Sequence, residues 1–232
     1  MKTYSDWNCR LLPMMGDLIA DPNDSIRAML FLKDKFGLSR FCMMPEFDCT
    51  QESISAFLIR RDKAWDALRH KLTRDIHVML GASATVVEGL SQEVGLKKLI
   101  LPNTNLFPIR LPFFPTNETA KELNRLLYHF PYRILLLSFD SYLNVFPMDE
   151  INRWISLPNV AYQWNYKALK NPLARDLIKM KLSQNATVLF GTELYSYGKA
   201  CFYELDHFLK IASEDFNDYQ LDHMFFHKGN MI

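Results

Sequence analysis

The chain has no charge excess, few cysteines and no long apolar run. Its 27 basic and 26 acidic residues leave a net charge of +1 over 232 residues. The basic doublets Arg60-Arg61 and Lys97-Lys98 stand alone rather than in a stripe, so nucleic acid is not an expected partner. The four cysteines, Cys9, Cys42, Cys49 and Cys201, lack metal-finger spacing. Lys2, Thr3, Tyr4 and Asp6 interrupt the N-terminus where a secretory leader would be apolar. Reduced thiols in a cytoplasmic protein are the expectation. No apolar stretch approaches the ~20 residues of a spanning helix, the best being short runs such as Ile134 to Leu137. No membrane span is expected.

Self-sufficient catalytic motifs are also missing. The chain has no glycine-rich phosphate loop, no G-x-S-x-G elbow, no H-x-H, no H-E-x-x-H and no D-x-D pair. No cysteine is followed six residues later by an arginine. This excludes the thiolate loop that holds a phosphate on a guanidinium.

What is present is an ordinary globular composition, 49% hydrophobic and 23% charged, long enough for a full core in one domain over residues 1–232. Short apolar β-type runs alternate with longer amphipathic stretches, which predicts parallel strands with crossover helices. Strands are expected over 2–8, 40–44, 76–81, 107–111, 133–138, 160–164 and 187–190. Asp24 or Asn23 can cap a helix on which Ile26, Met29, Leu30 and Lys33 follow helical spacing, and Gly37 can end it in the left-handed conformation. Further helices are expected over 52–72, 119–129, 149–155, 172–185, 199–211 and 215–226. The Pro- and Phe-rich stretch 103–115 reads as a short strand between turns rather than a linker. Seven strands with intervening helices favour a barrel. Phe113-Phe114-Pro115 is expected in the core, with a sugar-binding platform as the lesser reading. The six histidines, at 70, 77, 129, 207, 223 and 227, are expected to be structural or solvent-facing.

The segments Asp6-Trp7-Asn8-Cys9-Arg10-Leu11-Leu12-Pro13, Asp24-Ser25-Ile26 and Phe41-Cys42-Met43-Met44-Pro45-Glu46 together resemble the polymerase-and-histidinol-phosphatase (PHP) superfamily. Within it, they are most similar to the bacterial manganese-dependent tyrosine phosphatases of capsule and exopolysaccharide synthesis. The family has a D-I-H-C-H-I-L-P type first strand and a T-P-H end to the second. Gly81-Ala82-Ser83, Leu137-Ser138-Phe139-Asp140-Ser141-Tyr142, Gln163-Trp164-Asn165 and Gly191-Thr192-Glu193-Leu194 follow in the family's order, and Asn230-Met231-Ile232 resembles its tail. The resemblance implies a distorted seven-stranded (β/α)7 TIM-like barrel of PHP type.

By that resemblance the family's metal-ligand positions fall on Asn8, Arg10, Glu46, Ser83, Ser138, Thr192 and Leu194, and a phosphate-contacting arginine falls on Ser141. Of these only Glu46 is a strong metal ligand, and one carboxylate cannot hold a multinuclear cluster. No metal or other cofactor is therefore expected, and the implied function is that of a catalytically silent homologue. Such a protein would bind a phosphorylated peptide, a sugar or a protein partner, with polysaccharide synthesis as its setting. The alternative is an active tyrosine phosphatase or other phosphoesterase with an atypical manganese site. A third reading is a metal-free enzyme with Glu46 or Asp140 as acid or base. Arg10, Glu46, Arg110 and Asp140 are the candidate ligand-binding residues. Asn8 and Arg10, two apart on a strand, are expected to share its inward face. An Arg10–Glu46 ion pair is expected where the metals would lie, against the simpler reading that both residues are surface positions.

Overall fold

The structure is a computed structural model that describes residues 4–15, 21–194 and 199–225, the side chains of 199–203, 223 and 225 excepted. The expected strand start at Lys2, His227, the Asn230-Met231-Ile232 tail and the side chains of Cys201 and His223 lie outside the described residues. The fold is mixed α/β. Its strands are β1 (Tyr4–Cys9), β2 (Leu38–Met43), β3 (Glu46–Phe47), β4 (His77–Leu80), β5 (Ser83–Thr85), β6 (Leu106–Arg110), β7 (Arg133–Leu136), β8 (Val160–Asn165) and β9 (Val188–Gly191). Its helices are α1 (Pro22–Phe36), α2 (Ile54–Arg69), α3 (Asn117–His129), α4 (Phe139–Tyr142), α5 (Met148–Ile155), α6 (Pro172–Ser183), α7 (Lys199–Asp215) and α8 (Asp218–Phe225).

The helices obey local signals. Asp21, rather than Asp24 or Asn23, caps α1: its carboxylate accepts from the Asn23 N–H at 2.8 Å, and Pro22 sits in the first turn, where its missing N–H costs nothing. Gly37 ends the helix at φ 71°, with its N–H on the Lys33 carbonyl at 2.9 Å. Ala28, Met29, Leu32 and Phe36 bury one face of α1, which packs on β2.

All strand pairs are parallel. They form two sheets, of order β1-β2-β4 and β3-β5-β6-β7-β8-β9. A regular seven-stranded barrel is not what the ladders describe: among the described residues there are nine strands in two sheets and no closed ladder. The second and third expected strands, 40–44 and 76–81, form as β2 and β4, and each is followed by a short strand that was not expected, β3 after Met44-Pro45 and β5 after Gly81-Ala82. Proline lacks the N–H that would continue a ladder. Hydrogen bonds still cross the break, from Gly81 N–H to Met43 O at 2.8 Å and from Ser83 N–H to Pro45 O at 2.9 Å.

At the other junction, β1 and β9 lie side by side without a regular ladder, and just past them Glu193 N–H donates to Asn8 O at 2.7 Å and Arg10 N–H to Leu194 O at 2.8 Å. Gly191 permits this approach, because a Cβ there would meet Asn8 Cβ and Asn8 N at 2.7 Å and Gln163 Nε2 at 2.9 Å.

Two apolar clusters follow from strand alternation. Trp7, Cys42, Met44, Leu101, Leu106, Leu135, Leu137, Ala161 and Leu189 form a small inner one. The larger one takes the opposite strand faces, such as Tyr162, Trp164, Val188 and Phe190, together with the helices. On β8 the inner series runs Ala161, Gln163, Asn165, from apolar to polar toward the C-terminal end. Phe113 and Phe114, expected in the core, are instead 91% and 79% exposed. They sit between Pro112 and Pro115 in the loop that links β6 to the Thr116 cap of α3, where no element covers them.

Gly191→Ala is expected to lower stability by roughly 1–3 kcal/mol, the usual cost of overpacking. Urea denaturation of the variant and the wild type measures it, and an unchanged midpoint would contradict the tight seam between β1 and β9.

Candidate functional site

The chemistry-bearing side chains collect around the C-terminal ends of the parallel strands, the edge at which such sheets leave their loops free to build sites. They form two constellations.

The first is centred on Glu46. Thr85 Oγ1 donates to Glu46 Oε1 at 3.0 Å, and Arg110 Nη1 donates to Oε2 at 3.1 Å. Arg10 Nη1 lies 3.7 Å from the same Oε2, an ion pair. Register explains the grouping, since Glu46 pairs with Ser83 and Thr85 with Arg110 across adjacent strands. The side chains of Arg10, Arg110 and Glu46 are 29%, 22% and 42% exposed. At such exposure each pair is worth only about 0–1 kcal/mol. The clamp therefore positions charge more than it holds the fold together. Ser83 is buried, and neither its Oγ nor Arg110 Nε has a hydrogen-bond partner among the described residues.

The second constellation is centred on Glu193. Ser138 Oγ donates to Glu193 Oε1, Asn165 Nδ2 donates to Oε2 at 3.1 Å, and Asn8 Nδ2 lies 3.4 Å from Oε1. The stronger bond of Asn8 Nδ2 is to Gln163 Oε1 at 2.8 Å, and the same oxygen accepts the Ser138 N–H at 2.9 Å. Ser138 and Glu193 both take φ 52°, the left-handed region that side chains rarely adopt. The N–H contacts to Gln163 and to Asn8 O hold them there.

Asp140 lies beside the second constellation. Its Oδ1 accepts the Asn165 N–H at 3.0 Å, and burial pushes its pKa up to about 6, the Asn165 N–H opposing and the Glu193 charge adding to the rise. Thr192 and Leu194 serve the seam rather than an open site. The Thr192 N–H donates to Asp6 Oδ1 at 3.0 Å and its hydroxyl to Oδ2, while Leu194 is buried in the larger core. Ser141 Oγ turns back to the Ser138 carbonyl at 2.7 Å.

Asn8 and Arg10 thus bond within different constellations, Asn8 with Gln163 and Glu193 and Arg10 with Glu46. Strict alternation fails on β1 because its register with β2 shifts between Asp6 and Cys9. Trp7 enters the inner cluster and Asn8 still reaches Gln163. Sequence reading passed over Glu193, Gln163 and Asn165 as site residues. The last two carried a signal, polar residues alternating with Tyr162 and Trp164 on a strand. Glu193 carried none, since its aim depends on a backbone conformation fixed by a distant strand.

No family model matches this chain, and no curated protein matches it in sequence. Among solved structures, it is similar to a chain from the crystal structures of YwqE from Bacillus subtilis and CpsB from Streptococcus pneumoniae, described as unique metal-dependent tyrosine phosphatases. The TM-score is 0.68 at 16% identity, over 94% of this chain and 90% of that one. At this identity the likeness is one of fold, and fold alone does not carry function.

Asp6 gives the site a pH signature. Burial raises its pKa from 3.8 to about 6 despite the donors Thr192 and Asn8, and the Glu193 charge adds to the rise. A raised carboxylate stabilises the fold below its unfolded pKa, and that contribution is lost as pH climbs through the folded value. Between about pH 4 and about pH 7, the wild type is expected to lose on the order of 1–3 kcal/mol relative to Asp6→Asn. Urea titrations of both proteins across that range check this, and parallel profiles would refute it.

Proposed function

We propose that this chain is a non-catalytic relative of the PHP metal-dependent phosphoesterases. In this reading it is a binding or regulatory protein that receives a phosphorylated ligand, on a peptide, a sugar or a partner protein, at the ends of its parallel strands. Polysaccharide synthesis is the setting that the family resemblance suggests. The observation that carries the reading is the clamp of Arg10 and Arg110 on Glu46. Guanidinium groups recognise phosphate oxygens through fixed, charge-assisted hydrogen bonds, and they do not ligate divalent metals.

The donor set supports the same reading. Both oxygens of Glu46 are engaged by Thr85 and the two arginines, and both oxygens of Glu193 by Ser138, Asn8 and Asn165. No group of three His, Cys, Asp or Glu residues stands in a metal-binding arrangement among the described residues. Amide, hydroxyl and guanidinium groups in the ligand positions do not suit a multinuclear manganese centre, which needs several anionic or imidazole donors per ion. No helix among the described residues is long and apolar enough to cross a membrane.

Metal analysis of the purified protein, together with hydrolysis of an aryl phosphate with and without added manganese, tests the proposal. Substoichiometric metal and no turnover are expected under either condition. Stoichiometric, tightly held metal with turnover would replace this reading with that of an active phosphatase.

A further inference from the structure

We infer that the Glu46 carboxylate is a built-in occupant of a two-arginine anion site, and that the external ligand is a phosphate monoester that displaces it. The inference rests on reading these strand ends as a ligand-binding mouth and specifies what that mouth selects.

Two cations converge on one carboxylate oxygen. Arg110 Nη1 is 3.1 Å and Arg10 Nη1 3.7 Å from Glu46 Oε2. With Glu46 turned away the two guanidinium groups carry two positive charges, which an incoming dianion neutralises and a second carboxylate does not. Phosphate monoesters carry about −1.5 to −2 at neutral pH and present three terminal oxygens.

The unmet donors fit the larger anion. Arg110 Nε and Ser83 Oγ have no partner among the described residues, and Ser83 is only 2% exposed. Ser83 pairs with Glu46 in register and shares its strand face with Thr85, whose hydroxyl already reaches Glu46 Oε1. A carboxylate with two oxygens leaves those two donors idle, whereas a tetrahedral oxoanion can use them.

The occupant is also the most exposed of the three charges. Glu46 is 42% exposed against 29% for Arg10 and 22% for Arg110. Its side chain can turn into water at the small cost typical of a partly exposed ion pair, while both arginines stay in place. Displacement then makes affinity depend on competition between an internal carboxylate and an external phosphate. Monoanions are disfavoured because they exchange like for like.

Calorimetry on the full chain tests this with inorganic phosphate, phenyl phosphate, glucose 1-phosphate and acetate as probes. Phenyl phosphate and glucose 1-phosphate distinguish aryl from sugar sources of the same group. Glu46→Gln is expected to bind the phosphates about ten-fold tighter than wild type, the scale of the two charge pairs that Glu46 makes in a partly exposed site. Acetate is expected to bind wild type more weakly than any phosphate. Arg110→Ala is expected to lose binding. Binding by Glu46→Gln where wild type shows none also supports the inference.

Equal or weaker binding by Glu46→Gln, with Arg110→Ala still deficient, overturns the displacement and leaves the mouth as a binding site. Wild-type affinity in both Arg10→Ala and Arg110→Ala overturns the mouth itself, and so does no binding by either wild type or Glu46→Gln. Should Glu46→Gln fail to fold by circular dichroism, Thr85→Val carries the same test. Freed of its hydroxyl donor, Glu46 is easier to displace, so tighter phosphate binding supports the inference and unchanged binding refutes it.

Discussion

The approach of β9 to β1 is the constraint on which the polar edge of this molecule depends. A side chain at residue 191 would collide with the Asn8 backbone. With glycine there, Asn8 O accepts the Glu193 N–H and the Thr192 N–H reaches Asp6. These contacts turn Glu193 into its left-handed conformation and aim its carboxylate at Ser138 and Asn165. One missing Cβ on a late strand thus fixes how the first, seventh, eighth and ninth strands present their polar groups. A buried carboxylate on this seam is costly unless neutralised or hydrogen-bonded. Asp6 meets that cost in both ways, through donors from Thr192 and Asn8 and a pKa raised toward neutrality by burial.

The two constellations differ in kind. Around Glu193, amide and hydroxyl donors surround a carboxylate, with Asp140 nearby and raised by its own burial. That arrangement is internally satisfied. Around Glu46, two guanidinium groups face one carboxylate and two donors remain unmet. Satisfied polar networks rigidify a fold, whereas a buried donor left without an acceptor calls for an explanation. This asymmetry is why the proposed binding site is put at the arginine clamp, while the Glu193 network ties Asn8, Ser138 and Asn165 together.

Much of the fold was legible along the chain because its signals are local. The α1 segment carries its own acid cap, its apolar spacing and the glycine that ends it. The runs at 106–110, 133–136 and 160–165 are apolar enough to be buried on both faces, as parallel strands require. The two-residue β3 and three-residue β5 were not legible, since strands so short have no period and exist only through their pairing with one another. The exposure of Phe113 and Phe114 was likewise hidden. Hydrophobicity reports what a ring prefers, not whether any element is positioned to cover it.

Local pattern along the chain was enough for the alternation of parallel strands and helices, because periodicity, caps and breakers act over a few residues, while Asn8, Arg10 and Glu46 were singled out by the family resemblance. Folding in three dimensions was needed to split nine strands between two sheets, to put Asn8 in the Glu193 network and to bring Arg110 beside Arg10 on Glu46. Each of those outcomes depends on register between segments tens of residues apart. Register is set by close contacts, such as Gly191 against Asn8, that no local pattern encodes.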